Sequence, residues 1–217
     1  MNVWRGVSAA LLAVALSASA QTTLDKVVVN AAASLVDERL ESVLTTLEAL
    51  AVTREIQSVD WDTIQPILAK YQADVKGAVW YAQTDGTYFT AQKGRQAQSL
   101  ADRRYFPRVL DGERAVGELV TSRSTGRHVV VAAVPILKGG RVIGILGASL
   151  YLDELSKAIE TYLGLPEDVS FMAVSPEGKV ALHSDPDRLL TDFPLAEDAP
   201  AATSALTGWR FVVEDGK

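Results

Sequence analysis

Residues 129–134 read Val-Val-Val-Ala-Ala-Val and sit inside an uncharged stretch from 129 to 137. A strand that apolar has no solvent face, so it belongs mid-sheet with cover on both sides. The chain around it supplies the neighbours. A strand pattern at 116–123 ends before Thr125-Gly126, and another at 142–150 follows Gly139-Gly140. Gly126, Gly139 and Gly140 suit the positive φ of tight hairpins, so the three strands are consecutive and antiparallel. Pro135 lacks an N–H and is expected to mark where the pairing of the central strand weakens. Ahead of the strands, residues 99–111 read as a helix interrupted at Pro107, followed by a turn around Gly112. A helix laid across an antiparallel sheet makes a concave face, and the Arg and Tyr of Asp102-Arg103-Arg104-Tyr105-Phe106 are placed to look into it.

The rest of the chain fills in the layers. Residues 24–57 read as one long helix with Val28, Leu35, Val43, Leu47 and Leu50 as an apolar stripe, widened on one side by Val36, Leu40 and Leu44. That margin either packs on the chain's own sheet or meets the helix of a second copy in a homodimer. A second helix lies in 58–74, with Asp60 and Thr63 both able to cap it; Pro66 favours Thr63, because Pro is tolerated in a first turn. Its buried face is Ile64, Ile67, Leu68 and Tyr71. Residues 75–83 and 87–92 form a hairpin around Asp85-Gly86, rich in aromatics: Trp80, Tyr81, Tyr88 and Phe89. These are either simple core or, for one of Trp80 and Tyr81 on opposite faces, the lining of a cavity. Residues 93–98 read as a polar loop. A helix at 153–163 stops at Gly164. A hairpin over 169–174 and 179–183, a loop over 184–205 with one helical turn, and a last strand at 209–214 complete the chain.

Composition excludes several function classes. With no Cys, there is no disulfide framework and no thiol chemistry. The first twenty residues read as a secretory signal: one cation, an apolar run of about a dozen residues and Ala18-Ser19-Ala20 as a cleavage pattern. The alternative is an uncleaved amino-terminal anchor. Cleavage after Ala20 removes Arg5 and no acid, leaving 20 Lys and Arg against 27 Asp and Glu, a net charge of −7. An acidic exported domain argues against nucleic acid and anionic membrane surfaces.

No catalytic constellation is present: no Gly-x-Ser-x-Gly, no thiol and no nucleotide loop. His183 with Asp185 and Asp187 suggests either a metal site or a solvated turn, and the turn fits at least as well. Binding is better supported, and no cofactor is called for. Arg103, Arg104, Tyr105 and Arg123 surround the expected concavity, and a guanidinium is a planar fork suited to carboxylate or phosphate. On a helix, Arg103 and Arg104 differ in direction by about 100°, so one faces the pocket and one faces solvent. Arg103 is either that pocket group or half of a structural salt bridge.

Asp102-Arg103-x-Tyr105-Phe106, followed by Ser124-Thr125-Gly126-Arg127, Val134-Pro135, Gly144 and Leu150-x-Leu152-x-x-Leu155, resembles the Cache (PDC-type) extracellular sensor family. The resemblance implies an α+β fold: a long amino-terminal helix packed on a PAS-like antiparallel sheet over 21–164, with a smaller carboxy-terminal β extension over 165–217. It implies non-enzymatic sensing of a small molecule in the periplasm. Carried over, Arg103 and Tyr105 hold a carboxylate and Phe106 lines the site. Trp80, Tyr81, Tyr88 and Arg123 complete the candidate set. The position that holds the amine in amino-acid-binding members is Ser149 here, and a second aromatic of the family falls near Gln98. Both departures favour a small carboxylate over an amino acid. The family usually feeds a membrane-bound signalling module, so a separate membrane partner is implied. The rival is an interaction module that docks a partner through its long helix, its interior filled by its own aromatics. A pocket of ~300 Å³ or more separates the two.

Overall fold

Helix α1 (Arg5–Ala51) has 47 residues, about 70 Å at 1.5 Å per residue. The structure, a computed structural model, describes residues 5–165, 169–195 and 201–215, with side chains for 23–165, 170–195 and 201–213. The secretory signal read in residues 1–20 therefore lies outside the described side chains; the helical backbone runs through Ala20 unbroken. No helix among the described residues is long and apolar enough to cross a membrane. The helix stops at Ala51, earlier than the expected 57, and a 3₁₀ turn at Ile56–Ser58 follows. The centre of its buried face is Val36, Leu40 and Leu44, all fully buried, whereas Leu35 and Leu50 are half-buried. The residues read as a margin are thus the axis of the stripe. They choose the chain's own sheet because that sheet offers Val79, Val130, Ala132, Val134 and Leu146 in the same apolar cluster.

Helix α2 (Trp61–Gln72) is capped by Asp60, not Thr63. The Asp60 carboxylate accepts from Thr63 N at 3.1 Å and from Thr63 Oγ1 at 2.6 Å. Ile64 and Leu68 of this helix are fully buried, and Pro66, in its second turn, is exposed and costs the helix one i→i−4 hydrogen bond.

Ten strands follow among the described residues: β1 (Gly77–Ala82), β2 (Thr87–Thr90), β3 (Gly94–Ser99), β4 (Ala115–Thr121), β5 (His128–Lys138), β6 (Arg141–Tyr151), β7 (Val169–Val174), β8 (Val180–Leu182), β9 (Ala202–Thr203) and β10 (Arg210–Asp215). Helix α3 (Tyr105–Leu110) lies between β3 and β4, and α4 (Leu152–Leu163) follows β6. The first sheet has order β3-β2-β1-β6-β5-β4 and every pairing is antiparallel. Residues 129–134 are buried throughout, as their sequence requires. Val130, Ala132 and Val134 face α1; Val131 and Ala133 face α3 with Trp80, Tyr105 and Phe106. The ladder of β5 becomes irregular just past Pro135, between Ile136 and Leu137, and continues to Lys138.

Two local expectations need correction. Residues 93–98 are not a loop but most of β3, an edge strand exposed along most of its length. Nothing packs there, so the sequence carries no apolar alternation to reveal it. The helix expected over 99–111 is only α3, and Pro107 falls in its first turn, where the missing N–H has no partner to lose. Residues 100–104 are a chain of turns, held by Ala101 N to Ser99 Oγ at 3.1 Å and Leu100 N to Gly86 O at 2.9 Å.

The second sheet, order β8-β7-β10-β9, packs Phe171, Ala173, Leu182, Trp209 and Phe211 into the cluster shared with α1. Asp37 of α1 fastens it. Its carboxylate accepts from Ser204 Oγ, from Ala205 N at 2.8 Å and from Leu206 N at 3.3 Å. Asp37→Ala leaves these donors without their anionic acceptor and is expected to cost about 2–3 kcal/mol. Urea denaturation checks this: a lower midpoint with unchanged slope is the predicted result, and an unchanged midpoint would show that the clamp carries no stability.

Candidate functional site

The hairpin β1–β2 presents Trp80 and Tyr88 to the face covered by α3, and it sends Tyr81 to the opposite face. Period-two alternation makes that division unavoidable. Trp80 and not Tyr81 is therefore the one at the crevice, and Tyr81 packs on Phe89 beneath α1 and α2, ring centroids 6.1 Å apart. Trp80 lies across Gly147 of β6, its Cα partner in the ladder. A Cβ at 147 would overlap ring atoms Cζ2, Cε2 and Cη2 of the indole. With that space open, the indole Nε1–H donates to Ser149 Oγ at 3.0 Å.

The turns before α3 bring Arg103 and Tyr105 over this floor. Tyr105 is buried, its ring 6.1 Å from that of Trp80 and tilted by 37°. Burial pushes its hydroxyl pKa well up, against the opposing pull of Arg103. The Tyr88 hydroxyl is raised for the same reason, opposed by its bond to Ser124 and by the Arg123 and Arg103 charges. Arg103 is half-buried and donates from Nη2 to Thr121 O at 2.9 Å. No carboxylate among the described residues lies within ion-pair distance of it. Glu118 of β4 feels the Arg104 and Arg103 charges but does not line the crevice; burial holds its carboxyl above the usual range. Arg104 points outward, 79% exposed, 4.0 Å from Glu177. One arginine in and one out is the expected division, though turns rather than helical geometry produce it.

Arg123 carries the structural salt bridge that the sequence left open for Arg103. Its Nη1 and Nη2 meet Asp102 Oδ1 and Oδ2 at 2.6 and 2.7 Å, and Nη1 also donates to Ser99 O. It lines the crevice, but its fork is occupied. The hydrogen bonds from Arg123 hold the Asp102 carboxyl at about 2. A carboxylate whose pKa is lowered on folding contributes stability above its unfolded value, near 4, and loses it as the pH falls towards 2. Melting temperatures of the native protein and Asp102→Asn should thus differ above pH ~4 and converge towards pH ~2. Parallel curves across that window would contradict the pairing.

The crevice is lined by Trp80, Tyr88, Arg103, Tyr105, Arg123 and Ser149, together with Leu100, Val120, Ser122, Ser124 and Val131. Phe106 packs under α3 behind it and does not line it. The two serines flanking Arg123 were not among the sequence-derived site residues: Ser122 lay in the strand expected over 116–123, and Ser124 entered only as part of the Ser124-Thr125-Gly126-Arg127 motif; Ser122 Oγ is 3.3 Å from Ser124 Oγ. None of the lining residues is acidic. The cavity measures about 20 Å³. That is room for one water molecule, and the expected ~300 Å³ is not met. The residues are assembled but closed on one another.

The two histidines lie outside the crevice. His128 pairs with Thr121 Oγ1 of the neighbouring strand at 3.3 Å. His183 Nδ1 accepts from Asp185 N at 2.8 Å, and Asp185 Oδ1 from Asp187 N at 3.0 Å, so this segment is a hydrogen-bonded turn.

A family model described as Cache domain matches residues 11–217. The methyl-accepting chemotaxis protein PscA of Pseudomonas syringae pv. tomato is 27% identical over 146 residues, 64% of this chain; the match spans 22% of that relative's length. The sensor domain of the Vibrio cholerae histidine kinase DctB superposes with a TM-score of 0.73 at 12% identity, covering 92% of this chain and 98% of that one. The ligand-binding domain of the Pseudomonas aeruginosa amino-acid chemoreceptor PctB, in complex with L-Arg, superposes with a TM-score of 0.70 at 19% identity, covering 88% and 85%.

Proposed function

Because the chain belongs to the Cache domain family, we propose that it is an exported sensor domain that takes a small carboxylate between Arg103 and Tyr105 and signals its presence to a separate membrane partner. The observation that carries this reading is Arg103. Its guanidinium is half-buried over an aromatic floor, with a backbone carbonyl as its partner and no carboxylate within ion-pair distance among the described residues. A fork so placed retains donors for an anionic oxygen pair.

The lining also bears on which carboxylate. Ser149, Ser122 and Ser124 offer hydroxyls, and no acidic side chain faces the crevice to balance an ammonium. Burying an unpaired ammonium is costly. The ligand class is therefore an organic acid without an amine, unlike the L-Arg held by PctB. Entry requires the closed crevice to open, by release of Arg103 from Thr121 O and movement of the 100–104 turns.

The test is a thermal-shift screen of small organic acids and amino acids. An organic acid should raise the melting temperature and amino acids should not. The second reading, an interaction module that binds no small molecule, is favoured by the cavity of about 20 Å³. No stabilisation by any acid at millimolar concentration would support it instead.

A further inference from the structure

A second, larger hollow lies away from the crevice, between α1 and α4. Its volume is about 260 Å³. Leu35, Leu150, Leu155 and Ile159 contribute apolar walls, Ala158 and Tyr162 form the outer lip, and Tyr162 is 77% exposed. The walls and this open ring together leave an apolar trough beside α1 and α4 that an apolar body can occupy.

The charges at the rim are unequal. Arg39 is fixed at one edge by donation from Nη2 to Asp74 O at 3.0 Å. Lys76 is exposed beside it and forms no ion pair among the described residues. Glu154 is the acidic residue of the lining, and Arg127 Nη2 lies 3.8 Å from its Oε1. Arg127 is itself anchored, 2.5 Å from Asp153 Oδ2 and 3.6 Å above the centre of the Tyr151 ring. The acid is thus partly neutralised from outside, and the two cations are not. We infer that this groove is a second ligand site, for an amphipathic carboxylate whose apolar body lies on Leu35, Leu155 and Ile159 and whose head meets Arg39 and Lys76. A cavity of about 150 Å³ holds benzene, so on the same scale 260 Å³ takes roughly ten non-hydrogen atoms. Octanoate has that size.

The site stands independently of the crevice, and its test keeps the two apart. Octanoate, below its micellar concentration, is titrated calorimetrically into the full chain. Octylammonium serves as the charge control. Ala158 is exposed, so Ala158→Trp fills the groove without entering the core. The expected result is that octanoate binds, octylammonium does not, Ala158→Trp weakens binding at least tenfold, Lys76→Glu weakens it severalfold, and Arg103→Ala leaves it unchanged. The inference is overturned if octanoate does not bind, if octylammonium binds equally well, or if binding is lost in Arg103→Ala and kept in Ala158→Trp. Sedimentation covers the remaining occupant: self-association that Ala158→Trp abolishes would make the groove the seat of a second copy and would also overturn it.

Discussion

Gly147→Ala lowers the melting temperature by about 6–12 °C, the equivalent of ~3 kcal/mol in a domain of this size. The methyl group has nowhere to go. It would overlap three atoms of the Trp80 indole, and the indole cannot retreat. Trp80 is buried, bonded to Ser149 Oγ at 3.0 Å and covered by Tyr105. The backbone of β6 is equally fixed, paired with β1 on one side and β5 on the other. Either Trp80 leaves its rotamer and disrupts the floor of the crevice, or the centre of the sheet spreads. Trp80→Leu in the same chain should restore much of the lost stability, because the two changes act on one space and are not additive. Calorimetry of the two single variants and the double variant checks this, and additive losses would contradict the packing described.

Arg103→Ala should remove the response to an organic acid. At a ligand concentration one hundred times the dissociation constant, binding stabilises the folded state by ~2.7 kcal/mol, a rise of about 5–10 °C. The variant is expected to show no rise. Its stability without ligand should fall by only about 1 kcal/mol, since the structure assigns Arg103 one side-chain hydrogen bond, to Thr121 O. Arg103→Lys separates charge from shape. Lysine keeps the positive charge but loses the planar fork, so it should recover a small part of the response. Full recovery would mean that a point charge suffices.

Much of the architecture was legible because burial writes itself into composition. Residues 129–134 have no polar member, so their place between two covered faces followed directly, and Val130 and Val131 do face opposite clusters. Gly164 announced the end of α4 and takes up positive φ there. Edges were less legible. In β3, Gly94, Arg95 and Ser99 pair with β2 through the backbone while most side chains of the strand meet solvent, and backbone pairing leaves no residue signature. Asp60 against Thr63 could not be settled by local rules, because the need to bury Ile64 and Leu68 outweighs the penalty at Pro66.

The site was legible in part for the same reasons. Alternation said that Trp80 and Tyr81 face opposite ways, but only the position of α3 shows which face holds the crevice. Two arginines with opposite fates were expected next to each other. That Arg123 would take the salt bridge depended on folding Asp102 back over β4, a long-range contact invisible in a linear pattern. The volume was the least legible property, since it depends on how closely Tyr88, Tyr105 and Trp80 approach one another.

The most direct measurement is the indole N–H resonance of Trp80, assigned by ¹H–¹⁵N spectroscopy and followed while an organic acid is titrated. The indole Nε1 touches Ser149 on the crevice floor, so a carboxylate held by Arg103 must disturb it. The predicted result is a saturable shift of that resonance in the native chain and none in Arg103→Ala. A bound acid that leaves the Trp80 resonance in place would contradict the assignment of the crevice as the sensing site.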